Sequence, residues 1–141
     1  MSNKMNKIFI VIGFVVIIAV LIFSFFSLDS NTSDLKNEFG YKDISSAELM
    51  DMMNNKDFLL IDVHIPEQQH IKGTDMFIPY EEINLNFNKL PSDKSKKIVL
   101  YCRSGSMSAE ASKILVERGY TNVYNLKNGV NEWKYLGYPM E

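Results

Sequence analysis

The stretch Ile98-Val99-Leu100-Tyr101-Cys102-Arg103-Ser104-Gly105-Ser106-Met107-Ser108 decides how the rest of the chain is read. Its first four residues are a continuous apolar run, the pattern of a strand buried on both faces. Cys102 follows at once, then small residues and a glycine. From there Met107, Ala111, Ile114 and Leu115 recur at helical spacing until Gly119, which predicts a helix over residues 107–118. Strand, tight loop and helix in succession place Cys102 at the carboxyl end of a strand, where open parallel sheets bind their ligands. A loop of this kind can turn several backbone N–H groups inward and form an anion cradle. Gly105 and the serines let the backbone curl closely. A thiol facing such a cradle gains thiolate character, and a nearby Arg103 adds to it. The thiolate is the nucleophile, suited to attack on sulfur or another soft electrophile. Cys102 is therefore the expected nucleophile, with Arg103, Ser104, Gly105, Ser106, Met107 and Ser108 as the expected substrate-binding residues.

Outward from this stretch, strand and helix patterns alternate. Ser45 with Glu48 three residues on is a capping-box signature, and Ala47, Met50 and Met53 continue at helical spacing. Residues 58–63 form a second apolar run that ends before Pro66. Residues 76–78 predict a short strand, residues 123–126 a last one, and residues 130–135 a closing helix. Such alternation implies an α/β domain with a parallel sheet covered on both faces. Asp62, at a strand end, is expected to orient the active loop through hydrogen bonds, a structural role.

Residues 8–28 differ in character from everything after them. They are 21 residues without a charge, about 31 Å as a helix, enough to cross a bilayer core. Lys4 and Lys7 precede them and Asp29 and Asp34 follow, which predicts a cytoplasmic N-terminus and an extracytoplasmic domain. Phe25, two before Ser27, stands where a cleaved signal peptide needs a small residue, so an uncleaved signal anchor is expected. The organisation read from the chain is a cytoplasmic segment 1–7, a transmembrane helix 8–28, a linker 29–40 and one domain over 41–141.

The chain carries a formal charge of −2. Without Lys4 and Lys7, 13 basic and 17 acidic residues remain, a balance of −4. A mildly acidic domain has no footprint for nucleic acid. One cysteine among 141 residues excludes an intramolecular disulfide and a cysteine-based zinc site. His64 and His70 are expected as packed or surface side chains, and no metal or organic cofactor is implied.

Four blocks in order resemble the rhodanese-like domain family, over residues 41–139. Leu60-Ile61-Asp62-Val63-His64-x-Pro66-Glu67 resembles its early strand and turn, and His70-Ile71-x-Gly73 the element that follows. Cys102-Arg103-Ser104-Gly105 with Ser108-Ala109-Glu110-Ala111 resembles the active-site loop and its helix. Asn122-Val123-Tyr124-Asn125-Leu126, Gly129 and Trp133 resemble the closing strand and helix. The resemblance implies a three-layer α/β/α fold with a five-stranded parallel sheet. It implies a cycle in which Cys102 takes up a sulfane sulfur as a persulfide and passes it to a thiol or cyanide. In that cycle the loop amides stabilise the thiolate, the persulfide and an anionic donor.

This chain departs from the family pattern at three places. Met107 occupies the sixth loop position, often Arg, Thr or Ser in active members. Methionine offers an anion no side-chain contact, which favours a polysulfide or protein-bound persulfide over thiosulfate. His64 stands where arginine is common, and the stretch between Pro66 and His70 is about two residues short. The alternative reading is a binding or redox-sensing module without turnover, which Met107 favours. A cysteine phosphatase would need arginine six residues after the nucleophile, where Ser108 stands.

Overall fold

A computed structural model describes residues 36–141. The anchor expected at residues 8–28 lies outside the described residues, as do residues 29–35 of the expected linker. Among the described residues no helix is long and apolar enough to cross a membrane.

Five strands form one parallel sheet: β1 (Lys42–Ile44), β2 (Leu59–Asp62), β3 (Met76–Phe77), β4 (Ile98–Tyr101) and β5 (Val123–Leu126), in spatial order β1-β5-β4-β2-β3. Helix α1 (Ser46–Met53) follows β1, α2 (Ser106–Glu117) follows β4 and α3 (Gly129–Tyr135) follows β5.

The alternation of side chains along each strand sorts the core into two layers. Ile61 of β2, Ile98 and Leu100 of β4 and Val123 of β5 join Ala111 and Leu115 of α2, with Ile83 and Leu90 from the segment before β4. On the opposite face, Leu60, Val99, Tyr101 and Leu126 join Leu49 of α1 with Val130 and Trp133 of α3. All four residues of β4 are fully buried, which explains why that strand reads as an unbroken apolar run. The helices leaving β4 and β5 pass to opposite faces. Cys102 follows directly on the carboxyl end of β4, the end of the strands at which open parallel sheets bind ligands.

Helix α1 begins as its sequence implies. Ser45 Oγ accepts from the Glu48 N–H at 3.2 Å, and Glu48 Oε2 accepts from the Ser45 N–H at 2.7 Å. Helix α2 starts one residue before its apolar stripe. It closes with the Gly119 N–H on the Val116 carbonyl (2.9 Å) and the Tyr120 N–H on the Leu115 carbonyl (3.1 Å).

Two parts of the fold have no counterpart in the periodicity. β1 is three residues with one buried side chain, Ile44, too short for alternation to register. Residues 79–97 carry neither period, and the structure fills them partly with 3-10 turns at Tyr80–Leu85 and Phe87–Lys89. The strand expected over 58–63 is shorter at both ends, yet Phe58 and Val63 remain buried and the Val63 N–H still bonds the Tyr101 carbonyl at 2.9 Å.

Replacing Ser45 with Ala removes the side-chain acceptor from α1's first turn. The expected loss is about 1 kcal/mol of unfolding free energy, read as a lower urea midpoint at unchanged slope.

Candidate active site

The loop after β4 is held from behind by α3. The Val130 N–H donates to the Cys102 carbonyl at 2.9 Å, and the Asn131 N–H donates to the Arg103 carbonyl at 3.0 Å. A trans peptide points its N–H opposite to its C=O, so the Arg103 and Ser104 amides face away from α3. The backbones meet so closely at Gly129 that a Cβ there would lie 2.3 Å from the Cys102 carbonyl oxygen and 2.6 Å from the Arg103 carbonyl carbon.

Gly105 closes the loop on the other side. Its φ of +94° is left-handed, and a Cβ would fall 1.8 Å from the Lys127 carbonyl oxygen. Its N–H donates to Cys102 Sγ at 3.2 Å. It is also the N-cap of the 12-residue α2, with no side-chain cap. The Ala109 N–H makes the first helical bond, to the Gly105 carbonyl at 3.0 Å. The amides of Ser106, Met107 and Ser108 therefore have no carbonyl within the helix, and their partial positive charge collects at the end that faces the sulfur.

Cys102 is 1% exposed and shares its buried cluster with Ile61, Val63, Leu100 and Ala111. Two polar groups, the Gly105 N–H and the Ser108 hydroxyl, also reach the thiol. Ser108 Oγ stands 3.6 Å from Sγ, and the same hydroxyl reaches Asn125 Oδ1 at 2.7 Å. The Asn125 Nδ2–H donates in turn to Asp43 Oδ1 at 2.7 Å.

The structure thus brings Cys102, Gly105 and Ser108 together in the interior. Arg103, Ser104 and Ser106 are exposed on the rim. Met107 is half-buried, its side chain packed against the core cluster that contains Cys102.

Asp62 acts elsewhere than expected. It is fully buried, with Oδ1 accepting from the His64 N–H at 2.9 Å and Oδ2 bonded to His70 Nδ1 at 2.9 Å. Both partners belong to the turn after β2 and neither to the Cys102 loop. Its support therefore goes to the neighbouring segment. His70 Nε2 also meets Glu67 Oε1 at 3.1 Å.

The two histidines titrate in opposite directions. Burial works against charge on His70, but its hydrogen bonds to Asp62 and Glu67 outweigh that and raise it above the ordinary 6.5. Burial lowers His64, Arg103's charge lowers it further, and Asp62 opposes both in part. His64 is 5% exposed, and its Nδ1 has no hydrogen-bond partner among the described residues. Sequence reasoning did not reach Asn125 or the α3 clamp. The polar residue inside the buried run Val123-Tyr124-Asn125-Leu126 was the available signal.

These features define an α/β domain that holds one buried cysteine at a helix N-terminus, in a loop of close backbone contacts. The family model of the rhodanese-like domain matches residues 45–136, and the chain belongs to that family. A sulfurtransferase of Allochromatium vinosum is 31% identical over 91 residues, which is 63% of this chain and 83% of that protein. The thiosulfate sulfurtransferase GlpE of Coxiella burnetii is 30% identical over 102 residues, 67% of this chain and 88% of that protein. Among solved structures, a rhodanese-related protein from Thermoplasma volcanium superposes with a TM-score of 0.62 at 28% identity, covering 72% of this chain and 98% of that one.

Gly129 and Gly137 both have positive φ, but a Cβ at Gly137 meets nothing within 4 Å. Gly137→Ala should cost about 1 kcal/mol from backbone strain alone. Gly129→Ala should cost about 3 kcal/mol, because it also drives a methyl into the loop carbonyls. Urea denaturation of the two variants side by side measures the difference, and equal costs would mean that the close approach at Gly129 contributes nothing.

His70's folded-state value is raised, so the stability it supplies is full below about 6.5 and lost as pH climbs through the raised value. The stability gap between the wild type and His70→Gln should therefore widen as pH is lowered from about 8 to about 6. Denaturation midpoints across that range test it, and a gap independent of pH contradicts it.

Proposed function

We propose that this protein is a membrane-anchored sulfurtransferase that carries a sulfane sulfur on Cys102. The observation that supports it most directly is the Gly105 N–H on the cysteine sulfur, at the uncapped start of α2. In the first half-cycle the Cys102 thiolate attacks the sulfane sulfur of a donor. The donor's S–S bond breaks, its remaining part leaves with the electron pair, and Cys102 becomes a persulfide. In the second half-cycle an acceptor thiolate attacks the outer sulfur and the Cys102 thiolate is released. No outside oxidant or reductant is needed. The amides of residues 103–108 stabilise the anionic sulfur, and Arg103 on the rim attracts anionic donors.

Donor choice follows from Met107. Its side chain packs into the core and gives the loop no sixth-position donor for a sulfonate oxygen. A polysulfide or a protein-bound persulfide, whose charge sits on sulfur, loses less by this than thiosulfate does. The thiosulfate transferase named among the relatives makes that anion the natural comparison. The anchor at residues 8–28 and the positive residues before it favour an extracytoplasmic location. The second reading, recognition or redox sensing without turnover, draws on the 1% exposure of Cys102.

Incubation of the full chain with polysulfide should add the mass of one sulfur atom to the wild type and nothing to Cys102→Ser. A wild-type chain that stays unloaded would leave only the second reading. Met107→Arg should raise kcat/KM for thiosulfate about tenfold, the worth of one charge-assisted hydrogen bond in the transition state. No gain would mean that another element limits thiosulfate use.

A further inference from the structure

The hydroxyl of Ser108 has one proton and three acceptors in reach: Asn125 Oδ1 at 2.7 Å, the Gly105 carbonyl at 3.1 Å and Cys102 Sγ at 3.6 Å. The shortest contact belongs to Asn125, which is 3% exposed in β5. Its amide is fixed in orientation. Asp43 lies directly across the β1–β5 pair and accepts from Nδ2 at 2.7 Å. A carboxylate can only accept, so the NH2 end must face Asp43 and the carbonyl end must face Ser108.

We propose that Asn125, oriented by Asp43, is a positioning residue that sets the reactivity of Cys102 by claiming the hydroxyl proton of Ser108. With that proton committed to Asn125, Ser108 turns a lone pair toward the sulfur. A lone pair accepts from the protonated thiol and disfavours the bare thiolate. The Gly105 N–H acts in the opposite sense. Sγ is thus balanced between one donor and one acceptor. In a persulfide the charge rests mainly on the outer sulfur and Sγ is close to neutral, so the Ser108 lone pair opposes it less. The arrangement restrains the empty site and tolerates the loaded one. That last consequence rests on the sulfurtransferase reading, whereas the effect on the thiol does not.

The ionisable groups around this end of the sheet are Arg103 and Lys127 in the loops, Asp62 at the end of β2 and His64 after it, Tyr80 beside them, Glu110 on α2 and Asp43 on β1. The substitutions below leave all but Asp43 in place. The readout is the midpoint of iodoacetamide alkylation against pH, on the full chain in detergent. Asn125→Leu, close to isosteric, removes the nearest acceptor of the Ser108 proton, leaves it to be shared between the Gly105 carbonyl and the sulfur, and should move the midpoint down by up to about one pH unit. In a Ser108→Ala background the same substitution should leave the midpoint where it is, because Asn125 acts through Ser108.

An unmoved midpoint in Asn125→Leu, or the same shift with and without Ser108, overturns the proposal. Should Asn125→Leu fail to fold, the paired exchange Asp43→Asn with Asn125→Asp keeps the side-chain shapes and gives Ser108 a charged acceptor. That pair should move the midpoint up, by more with Ser108 present than with Ser108→Ala. A downward or Ser108-independent shift overturns the proposal. Polysulfide loading of the same wild-type sample separates the two readings. Failure to load removes the sulfurtransferase reading alone, and an unmoved midpoint removes this proposal alone.

Discussion

The site depends on two hydrogen bonds donated by the first turn of α3 to the carbonyls of Cys102 and Arg103. They hold those carbonyls toward α3, and peptide planarity sends the next amides the other way. Gly129 makes the approach possible and Gly105 completes it against Lys127, so two backbone segments some 25 residues apart in sequence interlock without a side chain between them. Rigidity of this kind comes from contact between main chains and is therefore insensitive to rotamer motion. Asp62 performs a parallel task one strand away, where it uses both carboxylate oxygens to hold the turn that carries His64 and His70.

Around the sulfur two tendencies are set against each other. Burial among Ile61, Val63, Leu100 and Ala111 favours a neutral thiol, as it does for most interior cysteines. The Gly105 N–H and the unshared amides at the start of α2 favour charge. A single hydroxyl group, that of Ser108, stands beside Sγ where these two environments meet.

Much of this was legible in the order of residues. The apolar run before Cys102, the glycine after it and the helical stripe from Met107 place a cysteine at a strand end without any knowledge of tertiary contacts. The capping box at Ser45 and Glu48 is local and reads directly. What escaped was non-local or below the length at which a period shows. β1 has three residues and one buried side chain. The hold of Val130 and Asn131 on the loop spans 28 residues of sequence in each case, between groups that every residue possesses, so no residue type announces it. Asp62 was assigned to the wrong neighbour because a strand end offers a carboxylate two directions, and sequence does not say which. Asn125 did leave a trace, as the one amide in a run that is otherwise apolar or aromatic.

The two margins of the sheet are unusually brief. β1 contributes Lys42, Asp43 and Ile44, two of them charged, and β3 contributes only Met76 and Phe77. An exposed margin with long rows of unpaired main-chain groups is a template on which other chains can add and polymerise. Among the described residues neither margin offers a foreign strand more than three residues to pair with.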